Sequence, residues 1–344
     1  MSWSAVKSEK IHYNEYQKEI DRVMQYPEAI REGLCQALNE NDNVFLFGEG
    51  INDLPGLFGV TTNLFKQFGE ERVFDVPLSE NGLMGIAVGA AIAGMRPIFF
   101  HNRPDFLLLT MDQFVNHATK YNYMSGGQCP IPIVIWAAIG KGWGAAGQHS
   151  QSLQALFAHI PGCKVIMPTT PYDSKGLLLS AIEDNNPVVI LEHRVLLNQK
   201  GHVPNNAYKI PIGKGIIRKE GTDVTIVANS LMVSESIKAA RRLELEGISV
   251  EVIDLRSIKP WDELLVINSV MKTGRLLVAD TDWYSFGVGA EIAATIAEKA
   301  FNYLKCGVMR VAYPDAPAPA SVTLEEAYYP SESEIIAKIK KILL

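Results

Sequence analysis

Short, uninterrupted apolar runs that alternate with helix-period segments constrain this chain more than any other feature. The runs Val44–Phe47, Pro97–His101, Ile131–Ala138, Lys164–Met167 and Val188–Glu192 leave no room for a solvent face. They read as strands buried on both sides. Between them, Glu28–Leu38, Gly82–Ala93, Leu107–Tyr121, Gln151–Ala158 and Tyr172–Glu183 read as helices. Strand–helix alternation of this kind builds a parallel sheet with helices on both faces. The pattern lapses over Leu196–Gly221, where Asn198, Gly201, Pro204, Asn205, Asn206, Pro211 and Gly213 accumulate. It then restarts, with strands at Val224–Ala228, Ser249–Leu255, Arg275–Ala279 and Met309–Ala312. The helices between and after them are Ser234–Glu246, Trp261–Met271, Gly289–Leu304 and Ser333–Ile342. The expected fold class is α/β, with two doubly wound domains over residues 26–200 and 212–344. A linker at 201–211 joins them, and an arm over residues 1–25, without clear periodicity, precedes them.

Composition narrows the class. The chain has 344 residues, 47% hydrophobic and 20% charged, with a formal net charge of -6. The length fits about two domains and a large core without staples. A mildly acidic chain has no basic surplus to neutralise phosphates, which argues against nucleic-acid binding. The four cysteines, Cys35, Cys129, Cys163 and Cys306, form no CxxC pair and no zinc-type spacing. They read as scattered thiols in a reduced compartment. Residues 1–19 lack the apolar segment of a signal peptide, and no apolar stretch reaches the roughly 18 residues that cross a bilayer. The expectation is a cytoplasmic protein with no membrane partner.

Two segments carry candidate chemistry. Gly142-Trp143-Gly144-Ala145-Ala146-Gly147 has the spacing of a dinucleotide fingerprint. The acid that should follow about 20 residues later is missing, so a tight glycine loop is the better reading. His149 follows that loop, and Ser150 or Ser152 could cap the next helix. This would put His149 at or just before a helix N-terminus, where a neutral imidazole is favoured. An ordinary loop histidine is the plainer alternative. The second segment runs from Asp75 to Gly82, with Ser79 as a natural N-cap and Glu80 in the first helical turn. There an acid is stabilised by about 0.3–1 kcal/mol with or without a function. Behind it Gly82, Gly85 and Gly89 fall on one helix face, and each costs about 1 kcal/mol relative to Ala. Such a stripe makes sense where another helix presses close to the backbone. Glu80 would then lie near a tight interface.

The chain resembles the beta subunit of the thiamine-diphosphate-dependent decarboxylase component of 2-oxo acid dehydrogenase complexes, of the pyruvate and branched-chain type. The likeness runs from about Glu28 to Pro330. Its marks are Phe47-Gly48-Glu49, Arg72–Asp75, Ser79-Glu80, Gly94–Pro97, Met111–Gln113, Tyr123–Gln128, Gln148–Ser152, His159–Gly162, Pro171–Gly176, Ile253–Arg256 and Lys272–Arg275. The resemblance implies a pyrimidine-binding domain followed by a transketolase C-terminal-like domain that mostly assembles subunits. It implies that Glu80 hydrogen-bonds N1′ of the cofactor's aminopyrimidine and that Phe106 stacks on that ring. Glu49 would be a cofactor-proximal acid in a partner-facing loop, and His149 an acid/base at the reacting centre. Carbonyls near Ile133, Ala181, Asp184 and Asn186 would match a monovalent-cation site, with potassium as the candidate ion. Such enzymes bind the diphosphate through Mg²⁺ with a Gly-Asp-Gly motif and a later Asn. No Gly-Asp-Gly occurs in these 344 residues. A separate alpha subunit should supply that half of the site, in an α₂β₂ assembly, with a lipoyl acyltransferase as a further partner.

One stretch departs from the family pattern. His101-Asn102-Arg103-Pro104-Asp105 precedes Phe106 and is more basic than the corresponding segment of better-known members, and Leu109 is apolar where some have a polar residue. Arg103 either pairs with an acid or, with His101, meets an anionic group of the substrate. The departure leaves open a two-subunit carboligase or transketolase-like enzyme with a non-lipoyl acceptor such as a sugar. A catalytically silent scaffold and a self-sufficient enzyme are further alternatives.

Overall fold

The computed structural model describes residues 22–53, 56–142 and 144–344. The reading of residues 1–21 as part of an arm lies outside these. Within the first half come β1 (Val23–Gln25), α1 (Tyr26–Glu40), β2 (Val44–Gly48), α2 (Leu64–Phe68), β3 (Val73–Asp75), α3 (Glu80–Ile92), β4 (Arg96–His101) and α4 (Pro104–Leu107). After them come α5 (Tyr121–Met124), β5 (Val134–Ile139), α6 (Gln154–His159), β6 (Lys164–Ile166), α7 (Pro171–Glu183), β7 (Val188–His193) and β8 (Lys200–His202). The second half holds β9 (Ile216–Lys219), β10 (Val224–Ala228), α8 (Leu231–Glu244), β11 (Val250–Asp254), β12 (Ser257–Lys259) and α9 (Glu263–Thr273). It closes with β13 (Leu276–Trp283), α10 (Val288–Lys299), β14 (Met309–Tyr313), α11 (Val322–Tyr328) and α12 (Glu332–Leu343).

Seven strands form the first sheet in the order β12-β6-β7-β5-β4-β2-β3. All its pairings are parallel except the edge pair β12–β6. The second sheet has five strands, β14-β13-β10-β11-β9, parallel except at the β9 edge. Every residue of β2, β5, β7, β10 and β11 is buried, which is why their apolar runs are continuous. β1 and β8 pair separately, antiparallel.

The two halves are not independent bodies. β12 comes from the second half yet extends the first sheet, with Ser257 opposite Ile166. One apolar cluster runs from Phe47, Met84 and Ile135 to Leu255, Val270 and Ile292. A buried ionic knot reinforces the junction. Arg218 of β9 bonds both Asp173 of α7 and Asp254 of β11, and Arg256 donates to Asp173 at 3.3 Å. Buried charges persist only when paired in this way.

Some local expectations change. The helix expected over Leu107–Tyr121 is broken into α4, a 3-10 turn at Leu108–Thr110, a wide π-helical turn at Gln113–Ala118, and α5. Two threonines contribute, because each hydroxyl bonds a carbonyl of the turn before it. Thr110 reaches Leu107 O at 2.8 Å and Thr119 reaches Val115 O at 2.9 Å. The strands β3, β9 and β12, of three or four residues each, have no separate signal in the apolar pattern.

Candidate active site

The winding of the first sheet reverses between β2 and β4. After β2 the chain goes out to β3 on one side, then returns to β4 on the other. In open α/β sheets, ligands sit outside the carboxyl ends of strands at such a reversal. Here that crevice is bordered by Glu49 after β2, Asp75 at the end of β3, Glu80 opening α3, and His101–Phe106 after β4. The two central strands approach very closely. A Cβ on Gly48 would stand 2.4 Å from the carbonyl oxygen of Phe100. Backbone cannot yield as a flexible side chain does, so Gly48→Ala is expected to destabilise the fold by about 1–3 kcal/mol. Chemical denaturation measures this, and an unchanged midpoint would show that β2 and β4 are not held at this spacing.

Glu80 is the first residue of α3 and is only 8% exposed. Among the described residues nothing hydrogen-bonds or ion-pairs with its carboxylate. A nearly buried carboxylate without a partner has room for an external N–H donor. Ser79 stands at the N-cap, as the spacing requires, but its hydroxyl makes no capping bond. Glu49 lies close enough that Glu80 and Asp75 add to the effect of burial, and together they raise its pKa. Gly50 N donates to Asp75 Oδ1 at 2.7 Å and ties the Glu49 loop to β3.

Phe106 and His149 meet edge-to-face, with ring centroids 5.4 Å apart. His149 is not at a helix end. α6 starts at Gln154 with Leu153 as its N-cap, and neither Ser150 nor Ser152 caps it. Instead both serines are buried at the seam with the second half, where the Ser152 hydroxyl has no hydrogen-bond partner among the described residues. Gln154 continues the seam, reaching Asp280 at 3.2 Å. Arg194, just beyond β7, fastens the loop from the other side. Its guanidinium donates to Gly140 O, to His149 O at 2.8 Å and to Ser150 Oγ at 3.3 Å. The glycine loop ahead of His149 packs on the second half too, since a Cβ on Gly144 would lie 2.7 Å from Ala320 O.

His101 and Arg103 differ in character. Burial holds the His101 imidazole neutral, with its pKa pushed down to about 3, against the ring of Phe99 at 4.0 Å. Arg103 is half-buried, with its guanidinium 5.7 Å from the centroid of Phe58.

The four residues named for a monovalent cation gather at the opposite, amino edge of the sheet, around the C-terminus of α7. Three of their carbonyls are already engaged by the chain. Ile133 O accepts from Val188 N at 2.9 Å, Ala181 O from Asp184 N at 3.2 Å, and Asp184 O from Arg96 at 3.1 Å. Asn186 is bonded to Asp184 and Asn122 through its amide groups. Arg96 and Lys164 thus bring the positive charge that a helix C-terminus favours. Among the described residues no group of three or more His, Cys, Asp or Glu is placed to hold a metal ion.

Sequence reasoning missed Arg194, Asp105 and Gln151. Gln151 donates to Asp105 at 2.7 Å and joins the His149 loop to the segment before Phe106. A signal for Arg194 was present. The apolar run of β7 closes on Glu192, His193 and Arg194, charged or titratable residues at the carboxyl end of a parallel strand.

The two sheets, with a crevice at the reversal of the first, define a chain of the transketolase type. Residues 22–200 match the transketolase pyrimidine-binding domain and residues 213–335 the transketolase C-terminal domain. The relatives include the acetoin:2,6-dichlorophenolindophenol oxidoreductase subunit beta of Cupriavidus necator, 43% identical over 92% of this chain and 96% of its own. The pyruvate dehydrogenase E1 component subunit beta of Rickettsia felis is 42% identical over 92% of this chain and 97% of its own. The mitochondrial pyruvate dehydrogenase E1 component subunit beta of Bos taurus is 44% identical over 92% of this chain and 89% of its own. Among solved structures, the inactive beta4 tetramer of a split-gene transketolase matches with a TM-score of 0.74 and 25% identity, covering 93% of this chain and 98% of that one. The chain belongs to the family of beta subunits of thiamine-diphosphate-dependent 2-oxo acid dehydrogenases.

Proposed function

We propose that this chain works as the beta component of a heteromeric enzyme that decarboxylates a 2-oxo acid and passes the acyl unit to a lipoyl carrier. The observation that carries the reading is Glu80, a nearly buried carboxylate without a protein partner, at the carboxyl edge where the sheet reverses. When bound, thiamine diphosphate supplies an electron sink for the carbanion that loss of carbon dioxide leaves. Glu80 would accept a hydrogen bond from the aminopyrimidine ring, its carboxylate holding the proton on that ring's nitrogen. Phe106 offers that ring an apolar face, and Glu49 adds negative charge beside Glu80. His149, oriented by Phe106 and by the bond from Arg194 to its carbonyl, moves a proton to or from the oxygen of the substrate during acyl transfer.

The alpha subunit is the partner this reading requires, because the diphosphate and its magnesium need ligands that this chain does not gather. The face formed by Gly82, Gly85 and Gly89 suits a partner helix. A Cβ on Gly89 would meet nothing within 4 Å. Leu78 and Ile86 beside it are 79% and 62% exposed. No helix among the described residues is long and apolar enough to cross a membrane, and the cytoplasm is the proposed compartment.

The polar segment His101–Asp105 favours the second reading, a two-subunit carboligase or transketolase-like enzyme with a sugar acceptor. Incubating the alpha–beta complex with lipoamide and a panel of 2-oxo acids separates the two. Acyl-lipoamide is expected from at least one of them. Decarboxylation with no lipoamide acylated by any acid would transfer the case to the second reading.

A further inference from the structure

Three buried polar atoms on one short segment lack a partner among the described residues. They are His101 Nε2, Arg103 Nε and Asp105 Oδ2. The segment runs from the end of β4 into α4, directly ahead of Phe106. Buried polar groups in folded proteins are nearly all paired, so three orphans within five residues need an outside partner.

The electrostatics say which kind. His101 is neutral. Arg103 carries the charge, and the one protein group its guanidinium bonds is the carbonyl of its own neighbour, Asn102, at 3.1 Å. Arg103 forms no ion pair among the described residues. Asp105 influences it but spends one oxygen on Gln151 at 2.7 Å. Arg194 is close behind. After burial, Arg103 is the strongest influence lowering its pKa, to about 10, and outweighs each of the acids Asp105 and Glu325. The two guanidinium groups thus lie close enough to influence one another, and Arg194 bonds the carbonyl of His149. A cavity of about 400 Å³ is walled by Arg194, Arg31, Gly59 and Phe58, and the Arg103 guanidinium lies 5.7 Å from the ring of that Phe58. The acid at its rim, Glu28, already accepts from Gln25 N at 2.9 Å. A planar guanidinium fork without a carboxylate is made for an oxyanion.

We propose that Arg103, with Arg194 behind it, binds a second oxyanion on the substrate, a carboxylate or phosphate at the far end of the 2-oxo acid from its reacting carbonyl. His101 Nε2 and Asp105 then meet the hydroxyl or water groups that accompany such a polar tail. The substrate is therefore an acid with two anionic ends rather than a plain aliphatic 2-oxo acid. This inference rests on the reading of the site as a 2-oxo acid decarboxylase.

The test uses the complex of this chain with its alpha subunit, and follows release of carbon dioxide. The acids are 2-oxobutanoate, 2-oxoglutarate, 2-oxoadipate and a 2-oxo acid with a terminal phosphate. At least one of the doubly charged acids is expected to exceed 2-oxobutanoate in kcat/KM by roughly tenfold or more. In Arg103→Met the ratio of the two should fall about 10- to 100-fold, chiefly through KM. Arg103→Lys should recover part of it, since a point charge lacks the fork. A ratio within one variant does not depend on how much of it folds. The phosphate and dicarboxylate arms tell which oxyanion is read. Preference for 2-oxobutanoate, or a ratio unmoved in Arg103→Met, overturns the inference. Turnover of none of the four acids would instead overturn the reading beneath it.

Discussion

Replacing Glu80 by Gln should lower turnover of the assembled enzyme about 10²- to 10⁴-fold while leaving the assembly intact. The range is that of a lost acid–base group. The amide keeps the volume of the carboxylate and its place in the first turn of α3, so packing against the sheet is unchanged. What it loses is the negative charge that holds a proton on the bound aminopyrimidine. Removing a first-turn acid costs the helix about 0.3–1 kcal/mol, too little to unfold a chain with this much buried apolar surface. No other residue takes over, because Glu49, the acid beside it, leaves the end of a different strand. Steady-state kinetics, read beside the sedimentation profile of the complex, checks both halves of this. Full turnover in Glu80→Gln would remove the acid from the mechanism.

The second large effect is all-or-none. This chain alone should show no measurable decarboxylation, and adding an alpha subunit that carries Gly-Asp-Gly and its later Asn should restore it. The reason is the distribution of ligands. In the proposed site, Glu49, Glu80, Phe106 and His149 of this chain would serve the ring and the reacting carbon. A diphosphate and Mg²⁺ need several hard oxygen ligands in near-octahedral order, which the alpha subunit is proposed to supply. The exposed Leu78 and Ile86 beside Gly89 are the proposed place for that partner to pack.

Most of the architecture was legible because parallel strands buried on both faces write themselves as continuous apolar runs. β2, β4, β5, β7, β10, β11, β13 and β14 all come from such runs. The short edge strands β3, β9 and β12 were not legible. An edge strand is half-solvated and brief, and β9, with Arg218 and Lys219 in four residues, has no apolar signature. The seam between the halves was invisible for a different reason. It depends on pairs such as Gln154 with Asp280 and Arg256 with Asp173, and spacing does not carry that. The same holds for His149. Serines followed by an apolar run imply a capped helix, yet the helix starts only at Gln154, and the Ser150 hydroxyl accepts from Arg194 instead. Glu80 was legible as a first-turn acid. That the residue is only 8% exposed, with no partner for its carboxylate among the described residues, became clear only from the packing of α3 on the sheet.

The central claim is that this chain holds one part of a shared site and leaves the other to its partner. Calorimetric titration of thiamine diphosphate with Mg²⁺, into this chain alone and into the alpha–beta complex, tests it most directly. Weak or absent binding to the chain alone and tight, magnesium-dependent binding to the complex is the predicted result. Tight, magnesium-dependent binding to the chain alone would contradict it.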